Sequence, residues 1–112
     1  MIPKRVLCIC QKGNMRSVAC AYLLKKKYKI DALACGMRTS HRDTVLMLCN
    51  WAELVIVLRA HYKDELPTEV QKKTIVIDVG TDRWFKGYPE DLLYKLDGVL
   101  IAYFSTLDDK TI

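Results

Sequence analysis

The sequence predicts an α/β domain built on a four-stranded parallel sheet with helices on both faces, a flavodoxin-like three-layer αβα fold. Two observations lead to this fold class. Short apolar runs alternate along the chain with segments in which apolar residues recur at helical spacing. These runs are almost continuously apolar, as in strands that are covered on both faces, the usual situation in parallel sheets. Because 112 residues have room for one hydrophobic core, we expect residues 1–112 to form a single domain.

Four of the apolar runs are expected to be strands. They are Arg5–Cys10, Ile30–Cys35, Leu54–Leu58 and Thr74–Asp78. The second is the weakest of the four, and Gly36 closes it. Because helical segments separate the strands, each connection is expected to be a crossover between parallel strands. Ligands of such folds bind at the carboxyl ends of the strands, which predicts a site just after Cys10, Leu58 and Asp78.

Helical patterns fill the intervals between these strands. The first predicted helix is Ser17–Tyr28. The second begins near Thr39 or Ser40 and buries Val45, Leu48 and Cys49. A short helix is expected at Ala60–Leu66, and a last one begins at Pro89. The second helix is predicted to begin with a capping box, because Ser40 and Asp43 have the required spacing. The apolar stripe of the last helix is predicted to contain Leu92, Leu96, Val99, Tyr103 and Leu107.

Composition and charge narrow the class of function. Charged residues make up 28% of the chain and the formal net charge is +5, which favours anionic partners such as phosphorylated substrates. The lysines are scattered except for Lys25–Lys27, which the helix macrodipole explains, so we expect no nucleic-acid partner. No apolar run approaches the roughly 20 residues that span a bilayer. The first residues also lack an export pattern, so we expect a cytoplasmic protein without membrane contact.

The five cysteines predict neither a metal site nor a disulfide framework. Cys8 and Cys10 flank a single residue, and the other three stand alone in apolar surroundings. Only two histidines are present, so a zinc site lacks ligands. We therefore expect reduced thiols, no metal and no cofactor, with Cys20 and Cys49 packing as small hydrophobic residues.

The segment directly after the first strand carries the predicted chemistry. It consists of Cys10, Gln11, Lys12, Gly13, Asn14, Met15, Arg16 and Ser17. The residues between the cysteine and the arginine are enough to wrap around one tetrahedral dianion, with backbone N–H groups pointing inward. Gly13 and Asn14 are the residue types that best tolerate the dihedrals of such a nest. The following helix aims its positive N-terminus at the same place, so the pattern predicts a phosphate-binding loop.

Each reactive side chain of this loop has a predicted role. Cys10 is expected to be a thiolate nucleophile, because cysteines at helix N-termini have lowered pKa values of roughly 3.5–7.5. Arg16 offers a planar fork for two phosphate oxygens, which lysine cannot reproduce. Ser17 is positioned to donate its hydroxyl to the thiolate, and Lys12 adds positive charge at the rim. The strand before, the helix after and the serine that follows the arginine distinguish this loop from an ordinary strand–helix turn.

The loop resembles the nucleophile loop of the low-molecular-weight protein tyrosine phosphatases, and the chain is similar to a short bacterial and viral branch of that family. Ala34–Gly36 resembles the family's Ser-Ala-Gly, Trp51–Leu58 its Trp-Ala-Asp segment, and Ile77–Trp84 the loop that supplies the general acid. The similarity thus covers most of the chain. It implies a phosphatase that forms a phosphocysteine intermediate and hydrolyses phosphotyrosine, in a phosphorylated protein, or a small phosphomonoester.

In the acid loop the family reads Asp-Pro followed by Tyr or Phe, where this chain reads Asp-Arg-Trp. By resemblance, Asp82 is the general acid that protonates the leaving oxygen as the P–O bond breaks, and Trp84 lines the substrate slot. By residue type alone Asp82 suits a turn equally well, and Asp78 at a strand end is the competing acid. Tyr88 and His61 are further candidates for the walls of the slot.

The loops depart from the family pattern in three places. Gly13 holds the position where the family has asparagine, and Asn14 follows it. Val18 replaces the proline that usually comes after the Arg-Ser pair. The acid loop has no proline after its aspartate. These changes bear on the rate and the substrate range rather than on the fold.

Two other functions fit the same loop. Arsenate reduction needs a resolving cysteine after the second helix, where Cys49 is the candidate, although core packing explains it better. Cys8 is instead a candidate partner for an oxidised Cys10, and Cys35 has no assigned role. The second alternative is a non-catalytic phosphate-binding regulatory module. The phosphocarrier domains of sugar transport share the architecture and the loop cysteine, but they lack an arginine at the position of Arg16.

Overall fold

The computed structural model of the chain describes residues 2–11, 16–78 and 89–111. Within these residues the elements are β1 (Arg5–Cys10), α1 (Arg16–Tyr28), β2 (Asp31–Gly36), α2 (Arg42–Trp51), β3 (Leu54–Val57), α3 (Ala60–Asp64), α4 (Thr68–Gln71), β4 (Thr74–Val76) and α5 (Pro89–Thr111). The four strands form one sheet in the order β2-β1-β3-β4, and every pair is parallel. The predicted four-stranded parallel α/β fold is therefore confirmed.

The sheet separates two hydrophobic layers, because successive residues of a strand point to opposite faces. On β1, Val6, Cys8 and Cys10 belong to the layer formed with α1 and α5. Leu7 and Ile9 belong to the opposite layer, formed with α2, α3 and α4. All five side chains are at most 1% exposed. Burial on both faces explains why this strand is an uninterrupted apolar run in the sequence.

The predicted stripe of α5 is correct at Leu92 and Leu96, and Tyr103 and Leu107 are partly buried against the same layer, but Val99 is not part of it. Leu92, Leu96, Leu100 and Phe104 are buried at steps of four residues, whereas Val99 is 39% exposed. A step of three and a step of four both fit a helix of 3.6 residues per turn, so the pattern alone did not separate Val99 from Leu100. Among the helices in the described part of the chain, none combines the length and apolar character needed to cross a membrane.

The capping box predicted at the start of α2 is wrong. The N-cap is His41, whose Nδ1 accepts a hydrogen bond from the Asp43 N–H at 3.2 Å. Ser40 contacts the preceding turn instead, since its Oγ accepts a hydrogen bond from the Gly36 N–H at 3.3 Å. The serine therefore closes the turn after β2 rather than the first turn of the helix.

Several other boundaries differ from the predicted ones by a few residues. β3 ends at Val57 and β4 ends at Val76, both short of the apolar run in the sequence. The helix predicted over Ala60–Leu66 ends at Asp64. Pro67 is then the N-cap of a separate short helix, α4, whose Val70 is buried.

Candidate active site

Cys10 is the last residue of β1, at the carboxyl end of a strand that has neighbours on both sides. Its side chain is 1% exposed and belongs to the layer formed with α1 and α5. The backbone around it is fixed by β2, because its carbonyl accepts a hydrogen bond from the Met37 N–H at 2.7 Å. The sheet thus presents the thiol at the edge where ligands of such folds bind.

Arg16 and Ser17 are the first two residues of α1, and both are buried, with exposures of 3% and 0%. The Ser17 Oγ lies 3.1 Å from the Cys10 Sγ, within hydrogen-bonding distance for sulfur. The predicted nucleophile and the predicted serine donor are therefore in contact. Arg16 precedes this serine in the first turn of α1 and is buried there.

Tyr62, in α3, lies near the buried arginine. Its side chain is 2% exposed, and the charge of Arg16 is close enough to act on the pKa of its phenol. Burial raises the pKa of the Tyr62 phenol, although the Arg16 charge opposes the shift, so the phenol is neutral at physiological pH. The tyrosine is therefore a neutral aromatic residue near a buried cation.

The sequence analysis missed Tyr62 and considered its neighbour His61 instead. His61 is exposed, and its ring packs against the Tyr62 ring with centroids 4.3 Å apart. The sequence does contain one indication of Tyr62, which is its position along the chain. Tyr62 is an amphipathic aromatic residue in the first turns after β3, whose carboxyl end meets the same sheet edge as β1.

An ion pair between Arg38 and Glu65 packs against this tyrosine. The two guanidinium nitrogens of Arg38 donate to the two carboxylate oxygens of Glu65 at 2.6 and 2.7 Å. The Arg38 guanidinium carbon also lies 5.7 Å from the centroid of the Tyr62 ring. The backbone N–H of Arg38 donates to the Gln11 carbonyl at 3.0 Å. The turn after β2 therefore connects the beginning of the predicted phosphate loop to α3.

This ion pair makes a testable contribution to stability. The hydrogen bonds from Arg38 lower the pKa of the Glu65 carboxyl from its ordinary value of 4.5, so the stabilisation is present above that value and is lost as the pH falls through the lowered pKa. We expect Glu65→Gln to lower the melting temperature modestly at pH 7, because both side chains are partly solvated. The difference from wild type should shrink below about pH 4.5.

Thermal melts of both proteins from pH 3 to 8 check this expectation. Glu69→Gln is a matched control, since Glu69 is 83% exposed and pairs with Lys72 within α4 and its C-cap. A melting-temperature difference for Glu65→Gln that stays constant down to pH 3 would contradict the assignment.

Asp78, the competing candidate for the general acid, follows β4 at the same edge of the sheet. Its Oδ1 lies 3.6 Å from the Nε of Arg59, which follows β3. An arginine neighbour stabilises the ionised carboxylate, whereas a general acid must carry a proton when the substrate is bound. The pairing thus favours a structural role for Asp78.

The remaining predicted site residues differ in what the structure describes. Gln11 is half-buried and contributes its carbonyl to the contact with Arg38. The others lie outside the described residues, namely Lys12, Gly13, Asn14, Met15, Asp82, Trp84 and Tyr88.

The other cysteines are free and buried, as the sequence predicted. Burial raises the pKa of Cys35 to about 12, and it raises the pKa values of Cys8 and Cys49 as well. Because the thiolate is the nucleophile and the metal ligand, these thiols are inert in their present surroundings. Among the residues described, no three histidine, cysteine or carboxylate side chains cluster as metal ligands would.

A separate apolar groove of about 300 Å³ lies between α1 and the edge strand β2. Its lining residues are Val18, Ala21, Tyr22, Lys25, Ala32, Leu33 and Ala34. It runs along the middle of both elements, whereas Cys10 and Arg16 meet at the carboxyl end of the sheet. The groove is therefore distinct from the candidate active site.

The fold is similar to those of several solved structures of phosphatases. The arginine phosphatase YwlE from Geobacillus stearothermophilus superposes with a TM-score of 0.69 at 21% identity, covering 96% of this chain and 95% of YwlE. The tyrosine phosphatase Wzb from Escherichia coli K30 gives 0.71 at 13% identity, with 95% and 99% covered. The tyrosine phosphatase AmsI from Erwinia amylovora gives 0.63 at 12% identity, with 86% and 85% covered.

No protein-family model matches the chain, and no curated protein sequence matches it. The likeness to these phosphatases extends over nearly the whole chain and nearly the whole of each solved structure, so it is a likeness of complete folds rather than of one motif. The resemblance to the low-molecular-weight tyrosine phosphatases that the sequence indicates is therefore confirmed in the fold.

Proposed function

We propose that the protein is a cysteine-dependent phosphatase that hydrolyses phosphomonoesters through a phosphocysteine intermediate. The observation that carries this proposal is the contact of 3.1 Å between the Cys10 Sγ and the Ser17 Oγ, beside the buried Arg16. A thiol, a hydroxyl donor and a guanidinium at a helix N-terminus are what attack on a phosphoryl group needs. The fold shared with the tyrosine phosphatases Wzb and AmsI supports the same reaction.

The proposed reaction has two steps. In the first, the Cys10 thiolate forms a bond to phosphorus while the ester P–O bond breaks, and Asp82 gives its proton to the leaving oxygen. Arg16 and the backbone N–H groups of the loop hold the equatorial oxygens. In the second step, water attacks phosphorus and gives its proton to Asp82. The S–P bond breaks, and the Ser17 hydroxyl stabilises the departing thiolate by a hydrogen bond.

The proposed substrate is phosphotyrosine in a protein or a small aryl phosphate, in the cytoplasm. Trp84, with Tyr88 and His61, would supply the aromatic walls of the slot. Because YwlE is an arginine phosphatase, phosphoarginine is the substrate to compare. The net charge of +5 suits any of these anions.

The test is a set of initial rates on p-nitrophenyl phosphate, phosphotyrosine and phosphoarginine from pH 4.5 to 8. Turnover of at least one of these substrates, inhibited by vanadate, is the expected result. The ratio of kcat/KM between phosphotyrosine and phosphoarginine would then assign the substrate class. Absence of turnover with all three, together with thiol-dependent reduction of arsenate, would replace the proposal by arsenate reduction. The buried Cys49, whose pKa is raised, argues against that alternative.

A separate prediction concerns the residue that acts as the general acid. Asp82→Asn should lower kcat by about 10²–10⁴-fold, the usual contribution of a general acid. The loss should be larger with phosphotyrosine than with p-nitrophenyl phosphate, because nitrophenolate leaves without needing a proton. Steady-state rates with the two substrates measure this difference.

Asp78→Asn is the matched control, since it removes a carboxylate charge that is paired with Arg59. We expect it to change kcat by much less than Asp82→Asn does. The reverse order of the two losses would assign the general acid to Asp78.

A further inference from the structure

The apolar groove between α1 and β2 has no role in the proposed reaction. Its volume is about 300 Å³, and three of the side chains that line it are large, apolar and exposed. These are Val18 at 47%, Tyr22 at 51% and Leu33 at 38%. Exposed apolar side chains that lie together around a groove are typical of a surface to which another molecule binds.

The edge strand β2 offers a backbone partner along this groove. The N–H groups of Asp31 and Met37 donate to backbone carbonyls on the β1 side, so odd-numbered residues here face β1 and even-numbered residues face outward. Gly36 already uses its outward groups, since its N–H and its carbonyl both pair with Ser40. Ala34, which lines the groove and is half-buried, has no such partner among the described residues. Its N–H and carbonyl can pair with one residue of an extended segment.

The charge at one end of the groove indicates the chemistry of that segment. Lys25 lines the groove and is exposed. Residues 25–31 contain four lysines against one carboxylate, that of Asp31, and Lys27 pairs with Asp97. A second copy of this chain carries the same net charge of +5, so electrostatic repulsion disfavours self-association. Charge complementarity instead favours an acidic partner.

The opposite end of the groove adjoins the candidate active site. Val18 directly follows Ser17 in α1, and Ala34 is two residues before Gly36, the register partner of Cys10. Two residues of a strand span about 7 Å. An extended chain that leaves the phosphate loop therefore reaches the groove within about three to five residues, at roughly 3.3 Å per residue.

We propose that the groove binds an extended, acidic segment of a protein substrate, a few residues away from the phosphorylated residue. One apolar side chain of the segment fills the groove, its backbone pairs with Ala34, and an acidic side chain lies near Lys25. The inference rests on the proposed function, and it deepens that function by selecting phosphoproteins over small phosphomonoesters. Because the groove is distinct from the reacting groups, it contributes to the binding of the segment and should act on KM rather than on kcat.

The test compares two synthetic phosphotyrosyl peptides. The first carries leucine and glutamate at about three to five positions on either side of the phosphotyrosine, and the second has serine in their place. We expect the wild type to prefer the first peptide by about 10-fold in kcat/KM, the scale for burying one apolar side chain. The difference should lie mainly in KM.

Tyr22→Ser and Lys25→Glu are the decisive variants, because both side chains are exposed and line the groove. Tyr22→Ser should reduce the preference to less than about threefold, and Lys25→Glu should lower it by about threefold. Both variants should keep the wild-type kcat/KM for p-nitrophenyl phosphate.

The matched controls change the same residue types outside the groove. Tyr94→Ser alters a tyrosine of α5 that is 86% exposed, and Lys26→Glu alters the exposed lysine next to Lys25. Neither residue lines the groove. Both variants should keep the wild-type preference between the two peptides.

The outcomes separate this inference from the proposed function. Turnover of p-nitrophenyl phosphate without a preference between the peptides, or with a preference that Tyr22→Ser retains, would overturn the inference and leave the phosphatase standing. If nothing is turned over, fluorescence polarisation with the labelled, unphosphorylated leucine–glutamate peptide still tests the groove. Binding that is lost in Tyr22→Ser would overturn the phosphatase and support the groove as a docking surface for an acidic segment. Absence of binding as well would overturn both.

Self-association has a distinct result. A wild-type dimer, detected by light scattering, that becomes a monomer in Tyr22→Ser but not in Tyr94→Ser would assign the groove to a second copy of the chain. That result would overturn the proposal.

Discussion

Cys10→Ser is expected to reduce turnover of p-nitrophenyl phosphate by about 10⁴-fold or more, the scale seen when a covalent nucleophile is removed. A serine hydroxyl at this position is nearly un-ionised at neutral pH, so the attacking group is lost. Binding of phosphate should persist, because Arg16 and the helix N-terminus are unchanged. Single-turnover kinetics and phosphate titration measure the two properties separately.

The control is Cys49→Ala, which removes a buried thiol from the opposite hydrophobic layer. It should retain the wild-type rate, although a small cavity will lower the melting temperature. Retention of more than a few per cent of the rate in Cys10→Ser would exclude the phosphocysteine intermediate. A rate lost equally in Cys49→Ala, at unchanged melting temperature, would instead indicate that two thiols take part.

Arg16→Lys is expected to lower kcat by about 10²–10³-fold, comparable to removing a preorganised donor from an oxyanion site. Lysine keeps the positive charge but offers no fork, so it cannot hold two phosphoryl oxygens at once. The pH dependence of kcat should keep its shape, because the substitution leaves the proposed nucleophile and the proposed general acid unchanged. Rates with p-nitrophenyl phosphate from pH 4.5 to 8 test both statements.

Arg5→Lys provides the comparison for this substitution. Arg5 lies at the amino end of the same strand β1, where its Nε donates to the Trp51 carbonyl at 2.8 Å. The variant should show wild-type kinetics. A loss below about threefold in Arg16→Lys would mean that charge alone suffices and that the fork has no special role.

Much of the fold could be predicted because it depends on local patterns. The strand β1 is apolar at almost every position, and both faces of it are buried. The order of the strands in the sheet was not predictable in the same way. β1 and β3 are covered on both faces, so their patterns identify them as parallel strands without indicating which strands lie beside them. The pairing of β1 with β3 follows from the whole chain.

The residues of the candidate site also differ in whether local sequence patterns could identify them. Cys10, Arg16 and Ser17 are close in sequence, so their spacing and the change from strand to helix were enough to bring them together. Tyr62 lies near Arg16 only because β3 pairs with β1 and α3 begins at the same edge of the sheet. Likewise, His41 replaced Ser40 as the N-cap of α2 because the serine is used by the backbone of Gly36. Such competing partners are set by tertiary contacts and have no local signal.

The division of the core into two layers has an evolutionary consequence. Cys10 belongs to the layer on the α1 side, whereas Tyr62 belongs to the layer on the other side of the sheet. The thiol of Cys10 and the ring of Tyr62 therefore rest on two cores whose side chains are separated by the sheet backbone. Apolar residues can be exchanged within either layer during evolution only if Cys10 and Tyr62 keep their positions at this edge of the sheet. Selection on the active site thus ties together the mutational histories of two cores.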